Sequence, residues 1–417
     1  MKSMSLTGTT NRERGGIYME AKKTAIVTGC SGQDGAYLSE RLLSLGYRVV
    51  GLKRRSSTDT LWRLRYLGVT DNPNFIIEEC DITDLYSLIN VFQKYKPQEC
   101  YNLAAMSHVG TSFSQPQLTW DVTAQGAINV ANALFMVKPD SKLYQASSSE
   151  MMGSHYNEVE EHEFCRYDGE EKENVITTWS TDREGMSKSL SGWAPSGKKR
   201  TIKCQNEDSK MDGNSPYGVA KFAAHNYMRV LREGQNRFIA CGILYNHGSP
   251  LRGEHFFERK VTKYIGQLVK WLDENKVNLN ELNDDETTLI FNDKNFPKLR
   301  LGDLSTFRDM GHSRDYVKLQ HKMLQQDTPD DFVICTGETF QMKDIVEFAF
   351  QCVGLDWEKI TYIDSSLFRP REVEYLRGDC SKAKKELGWR PTETLQSMIQ
   401  EMVKQDIEWT KEGRNYG

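Results

Sequence analysis

The chain has 417 residues, 38% hydrophobic and 27% charged, with a formal net charge of −4. That balance is globular and sufficient for a core of one large or two ordinary domains. It excludes the strongly basic face of a nucleic-acid binder, and no apolar run approaches the ~18 residues a membrane helix needs.

The opening stretch, MKSMSLTGTTNRERGGIYME, has no apolar signal region, so residues 1–23 are expected to be a disordered tail. From Thr24 strand-like and helical runs alternate. TAIVTG reads as a strand ending on glycine, and YLSERLLSLG as a helix stopping at Gly46. YRVVGL and FIIEECD are strands, and DLYSLINVFQKY is a helix capped by Asp84. ECYNLA and KLYQAS are strands flanking the helix TAQGAINVANALFMV. This alternation predicts an α/β fold, a Rossmann-type doubly wound parallel sheet, with a smaller α/β C-terminal domain. Residues 154–212 break the pattern, turning acidic and then basic, and are read as an inserted surface excursion. SPYGVAKFAAHNYMRVLRE is a helix and FIACGILYN a strand. A second polar stretch suggests an inserted loop over 273–298, before the helices MKDIVEFAFQCVG and LQSMIQEMVKQDIEW. The expected division is 24–246 and 247–417, with some chain exchanged between the two.

Five features carry chemistry. In TGCSGQDGAY, Gly29, Gly32 and Gly35 lie between a strand and a helix, where glycines let backbone approach a pyrophosphate at a helix N-terminus. After the second strand, Arg54, Arg55 and Ser56 suit a 2′-phosphate, which favours NADP over NAD. Asp81 and Ile82 are placed to meet the adenine, although the Asp84 cap alone explains part of that pattern. Tyr217 and Lys221, at i and i+4, share a helix face, and a nearby cation favours the phenolate. In QASSSEMMG, Ser147, Ser148, Ser149 and Glu150 stand at a strand's carboxyl end, where α/β sheets hold ligands. Nine scattered cysteines without CxxC fit reduced thiols and a cytoplasmic protein. His155, His162, Cys165 and Cys204 in the excursion match no standard zinc spacing, so no metal is expected.

Together these motifs resemble the extended short-chain dehydrogenase/reductases and, within them, the GDP-mannose 4,6-dehydratase family. The landmarks run in order: TGCSGQDGAYL, GLKRRSS, YNLAAMSHV, YQASSSEMMG, SPYGVAK, GILYNHGSPLRGE, RDMGHSRDYV and FRPREVEYLRGD. The resemblance implies removal of water from GDP-mannose to give a 4-keto-6-deoxy sugar, with NADP recycled. It makes 24–246 the NADP-binding domain and 247–417 the nucleotide-sugar domain. It implies that Tyr217 takes the 4-hydroxyl proton, that Lys221 lowers the Tyr pKa, and that Ser148 bonds the 4-oxygen. Glu150 would take the C5 proton and pass it to the departing 6-hydroxyl. Cofactor contacts would come from Gly29, Ser31, Gly32, Gln33, Asp34 and Gly35, and from Leu103, Ala104, Ala105 and Ser107, with His247 and Arg252. The sugar nucleotide would meet Ser107, Asn246, Lys260, Arg308, Arg369 and Glu372. A homo-oligomer, dimer or tetramer, is also implied. Gly248, Leu251, Met151, Met152 and the long 154–212 segment depart from the family pattern and leave the sugar open. The alternatives are a dehydratase or epimerase of another nucleotide sugar, such as a GDP-heptose, or a non-catalytic nucleotide-binding regulator.

Overall fold

The computed structural model describes residues 23–166, 193–291 and 295–414; residues 1–22 of the expected tail and the middle of the 154–212 segment lie outside them. The first strands are β1 (Thr24–Thr28), β2 (Arg48–Lys53), β3 (Phe75–Glu79), β4 (Glu99–Asn102) and β5 (Lys142–Ser148). Then come β6 (Asn157–Arg166), β7 (Trp193–Cys204), β8 (Phe238–Leu244) and β9 (Asn246–Gly248). The last are β10 (Leu299–Leu301), β11 (Phe307–His312), β12 (Asp331–Ile334), β13 (Thr339–Gln341) and β14 (Thr361–Ile363). Seven of these form one parallel sheet in the order β12-β8-β5-β4-β1-β2-β3. The order reverses between β1 and β4, the place where such sheets open a ligand crevice.

The longer helices are α1 (Gln33–Ser44), α2 (Leu85–Tyr95), α3 (Gly126–Val137) and α4 (Pro216–Gln235), followed by α5 (Phe257–Asn275), α6 (Ser313–Leu324), α7 (Met342–Gln351) and α8 (Leu395–Lys411). Successive side chains of a strand face opposite sides, so β1 feeds two cores. Ala25 and Val27 pack with Leu38 and Leu42 of α1, while Ile26 packs with Leu88, Phe92, Val130 and Leu134 of α2 and α3. A third core joins Ile265, Leu268, Val346, Phe350, Met398 and Met402 of α5, α7 and α8. The fully buried Arg259 of α5 reaches Asp406 of α8 at 2.7 Å, and Thr262 donates to the same carboxylate at 2.7 Å. After Phe307 the chain returns to the large sheet, since β12 pairs with β8 and α6 packs on α1. None of the described helices is long and apolar enough to cross a membrane.

Both interruptions carry regular structure. β6 and β7 pair as an antiparallel hairpin, with Asn157 opposite Cys204 and Glu161 opposite Arg200. Gln205 clasps its base: its side-chain amide donates to Gly153 O at 3.0 Å and His155 O at 2.8 Å, and its side-chain oxygen accepts from the Tyr245 hydroxyl at 2.8 Å. Its backbone bonds Arg377 O and Asp379 N at 2.9 and 2.8 Å. The stretch expected as a loop over 273–298 instead continues α5 to Asn275 and holds a turn at Leu279–Glu281 and a helix at Asp284–Ile290. Its polar residues read as a loop, yet Phe291 is buried in the third core and anchors it.

Candidate active site

The carboxyl ends of β1, β4, β5 and β8 open into a cleft of about 1240 Å³ shared with the third core's face. Gly29 turns out of β1 with φ +65°, and a Cβ there would stand 3.0 Å from the Ala104 backbone. At Gly35 a Cβ would stand 2.3 Å from Gly29 O, so α1 can lie against this turn only without a side chain. No side chain caps α1, whose first-turn amides and dipole favour an anion. The Thr28 hydroxyl holds the neighbouring turn, accepting from Leu103 N and Ala104 N at 3.1 Å.

Behind this loop, Gln33 and Asp34 connect to the β9 region. Asp34 Oδ2 lies 2.8 Å from His247 Nε2, and Ser249 donates to Gln33 Oε1 at 2.7 Å. Burial alone would raise the Asp34 pKa; the His247 contact and the Arg252 charge outweigh it and hold the carboxyl below its ordinary value.

The Ser-rich strand end and the α4 helix meet at the cleft. Ser215 caps α4 by accepting from Gly218 N at 3.0 Å, and Pro216 occupies its first turn. At Gly218 a Cβ would be 2.5 Å from Glu150 O, so the helix start sits directly on the Glu150 backbone. Ser148 accepts from Glu150 N at 3.3 Å and lines the cleft together with the Tyr217 phenol. Glu150 is buried; desolvation raises its pKa, with Arg369 and Arg308 opposing and Glu372 adding. Lys221 donates to Ala146 O at 2.7 Å, and its ammonium lies 5.8 Å from the Tyr217 ring centroid. Burial brings Lys221 down to about 8.

One expectation is corrected. Tyr217 is not held low by Lys221: burial pushes the phenol up, the neighbouring Ser148 hydroxyl and Arg252 oppose, and Glu150 and Asp34 reinforce the rise. The ammonium is directed at a strand carbonyl and does not compensate.

Across the cleft, Arg308 and Arg369 both donate to Glu372 Oε1, at 2.7 and 3.0 Å. Lys260 donates to Arg300 O at 2.6 Å, and Asn246, Ser107, Leu103 and Ala105 also line the space. Seven of the named residues do not line it. Ser31 turns its carbonyl to Arg63 at 3.2 Å, and Ala104 is held by Thr28. Arg54 and Arg55 are exposed past β2, and Ser56 bonds Thr58 at 2.9 Å. Asp81 accepts from Thr83 N at 3.0 Å in a surface turn, while Ile82 is buried against Gly126. His155 pairs with Asp212 at 2.8 Å, and the side chains of His162 and Cys165 lie outside the described residues.

The profile of the family described as GDP-mannose 4,6 dehydratase matches residues 26–169, 197–287 and 286–402. The chain belongs to the GDP-mannose 4,6-dehydratase family. GDP-mannose 4,6 dehydratase 1 of Arabidopsis thaliana is 36% identical, covering 99% of this chain and 95% of that protein. The human GDP-mannose 4,6 dehydratase is 32% identical, covering 94% of each. Among solved structures, the dTDP-glucose 4,6-dehydratase of Bacillus anthracis in complex with NAD superposes with a TM-score of 0.66 at 17% identity, covering 93% of this chain and 97% of that one. RMD of Pseudomonas aeruginosa complexed with NADPH gives 0.62 at 14% identity, covering 93% and 100%. At these identities the two structures establish the shared fold.

As a member of this dehydratase family, the chain absorbs its departures in packing. Met151 and Met152 are fully buried in the core and stay out of the cleft. Leu251 is fully buried as well. At Gly248 a Cβ would come within 3.3 Å of the Glu258 carboxylate. Among the cleft residues that escaped sequence reading are Arg63, His108, Phe256 and Glu258. Arg63 donates to Leu251 O at 2.7 Å, and burial, with Arg259 and Arg252 nearby, lowers it to about 10. His108 packs edge-on against Phe256 at 5.8 Å, and Arg252 lies 3.6 Å from that ring's centroid. Glu258 meets Arg252 Nε at 2.8 Å without the alignment of a hydrogen bond. WRLRY and FFERK look like ordinary amphipathic helix, so nothing in the spacing marked Arg63, Phe256 or Glu258, and His108 stood unassigned in YNLAAMSHV.

Proposed function

We propose that this protein is an NADP-dependent lyase converting GDP-mannose to GDP-4-keto-6-deoxymannose. The buried Glu150 carboxyl beside Ser148, Tyr217 and Lys221 carries the reading. It is a group that epimerases of the same fold do not need.

The uncapped α1 start and the Gly29–Gly35 cradle fit a dinucleotide pyrophosphate. Gly29, Ser31, Gly32, Gln33, Asp34 and Gly35 would hold it, with Asp81 and Ile82 toward the adenine. Leu103, Ala104, Ala105, Ser107, His247 and Arg252 would flank the remainder. The exposed Arg54 and Arg55, which have no ion-pair partner among the described residues, favour a 2′-phosphate and hence NADP. When bound, NADP supplies the oxidant at sugar C4, the reductant at C6 and a positive ring charge that favours the Tyr217 phenolate. Tyr217 removes the 4-hydroxyl proton while Ser148 holds the oxygen. The 4-ketone acidifies C5, and Glu150 takes that proton. Its raised pKa suits a carboxyl that must then protonate the departing 6-hydroxyl, releasing water. C5 finally takes a proton, and the one Tyr217 removed is available. Arg308, Arg369 and Lys260 would hold the diphosphate, and Glu372 would accept from guanine or ribose, with Asn246 and Ser107 beside the sugar.

Residues 24–246 would form the NADP unit and 247–417 the sugar-nucleotide unit. We place the protein in the cytoplasm on the cysteines that are free among the described residues. The exposed Leu118 and Trp120, with Val219, Phe222 and Val230 on α4, support a homo-oligomer. Light scattering that gave a monomer at micromolar concentration would count against it. The deciding assay incubates the enzyme and NADP with GDP-mannose and a panel of other GDP-sugars, including heptoses, under mass detection. Loss of one water from GDP-mannose is expected. A product of unchanged mass would make the enzyme an epimerase, and turnover of another sugar alone would move the substrate.

A further inference from the structure

Ser147 and His225 have no role in the chemistry above, yet they bond each other directly behind it. Tyr217, Lys221 and His225 recur every fourth residue and share one face of α4. All three face the carboxyl-terminal part of β5. Tyr217 lines the same cleft as Ser148, Lys221 donates to Ala146 O at 2.7 Å, and His225 Nδ1 lies 2.9 Å from Ser147 Oγ. His225 is 4% exposed, and its other nitrogen lies 3.6 Å from Asp331 Oδ2 on β12. Arg232, from the same helix, forks that carboxylate at 2.6 and 2.8 Å.

Burial lowers the His225 pKa; Asp331 opposes, while Arg232 and Arg229 reinforce. A neutral ring facing a carboxylate carries its proton on Nε2, which leaves Nδ1 to accept from the Ser147 hydroxyl. The ligand atoms of His225, Cys241 and Asp331 lie within 4.8 Å of one another. A cation there would have to displace the Arg232 fork and stand beside its charge. A network of protein groups accounts for the cluster better.

We propose that His225 is a positioning residue of the dehydration reaction: its bond to Ser147 sets the register of α4 on β5 and so aims Tyr217 at Ser148. The kinetic part of this proposal rests on the dehydratase reading; the structural part does not.

The test compares His225→Leu, His225→Asn and Ser147→Ala with wild type. Misplacing a reacting group by about 1 Å costs up to about 10²-fold, so kcat for GDP-mannose should fall ten- to a hundredfold in His225→Leu with KM unchanged. Asparagine can place an acceptor near the Nδ1 position and should recover most of it. Ser147→Ala, which removes the other half of the bond, should match His225→Leu, and the double variant should add little. Crystal structures of the variants should show a longer Tyr217–Ser148 separation in His225→Leu and Ser147→Ala than in wild type. An unchanged separation with wild-type kcat overturns the proposal, as does His225→Asn no better than His225→Leu. Stoichiometric zinc in the purified protein, lost in His225→Leu, also overturns it. If wild type leaves GDP-mannose untouched, the dehydratase reading fails and the crystal structures alone decide the role of His225.

Discussion

Lys221 is an ammonium almost fully enclosed by protein, and its replacement by methionine gives a sharp prediction. Burial brings it from its ordinary 10.5 to about 8. At about 1.4 kcal/mol per unit, the gap corresponds to about 3 kcal/mol lost to keeping the charge inside the fold. The lost hydrogen bond to Ala146 O offsets part of this at neutral pH, by about 1.5–3 kcal/mol. The net effect near pH 7 is therefore small, while turnover should collapse. The pH dependence is the sharper quantity. Below about 8 both folded and unfolded wild type carry the proton, and the full cost is present. Between about 8 and 10.5 the unfolded chain binds more protons, so stability rises with pH. Lys221→Met cannot titrate. Paired urea unfolding of the two proteins should show wild type gaining about 3 kcal/mol on the variant across that window. A stability difference that stays flat with pH would refute the claim that the ammonium is held against its desolvation cost.

Glu150→Gln should keep fold and cofactor while turnover falls by about 10²–10⁴, with reduced cofactor accumulating by absorbance; normal turnover would remove Glu150 from the mechanism. Because burial raises the Glu150 pKa, the folded protein loses stability as pH rises through it, and the variant should be the more heat-stable protein above it. Gly35→Ala places a Cβ 2.3 Å from Gly29 O, and the backbone shift needed to relieve it should strip NADP from the purified protein on gel filtration. Retained cofactor would show that the loop yields easily. Removing Arg54 and Arg55 together should weaken NADP about ten- to a hundredfold by fluorescence titration and leave NAD unchanged. Equal loss for both would assign those cations elsewhere.

Glycine spacing and the Tyr217–Lys221 interval were readable because each expresses a local rule, a backbone that must approach closely or two side chains one turn apart. The parallel sheet followed from alternation, its strand order did not, and the return of β12 to the large sheet was foreshadowed only as exchange of chain. What escaped depends on partners distant in sequence. Arg63 gains its place from Ser31 and Leu251, and Glu258 from Gly248 and Arg252. The phenol of Tyr217 went wrong for the same reason: its environment is set by burial from several elements, which no interval records. The helix at Asp284–Ile290 was hidden by its composition, since one buried aromatic beside polar residues gives no periodic signal.

The Gln205 clasp has a consequence for how this chain can change. It ties the two ends of the hairpin to Gly153, His155, Tyr245, Arg377 and Asp379, all outside the hairpin itself. The described strands β6 and β7 thus stand on a closed base, and lengthening the chain that joins them costs only a logarithm of its length. Glu150 and Tyr217 keep their places whatever is grafted there. The position is a natural port for evolution, or a protein engineer, to mount a new module beside a sugar-nucleotide site without rebuilding it.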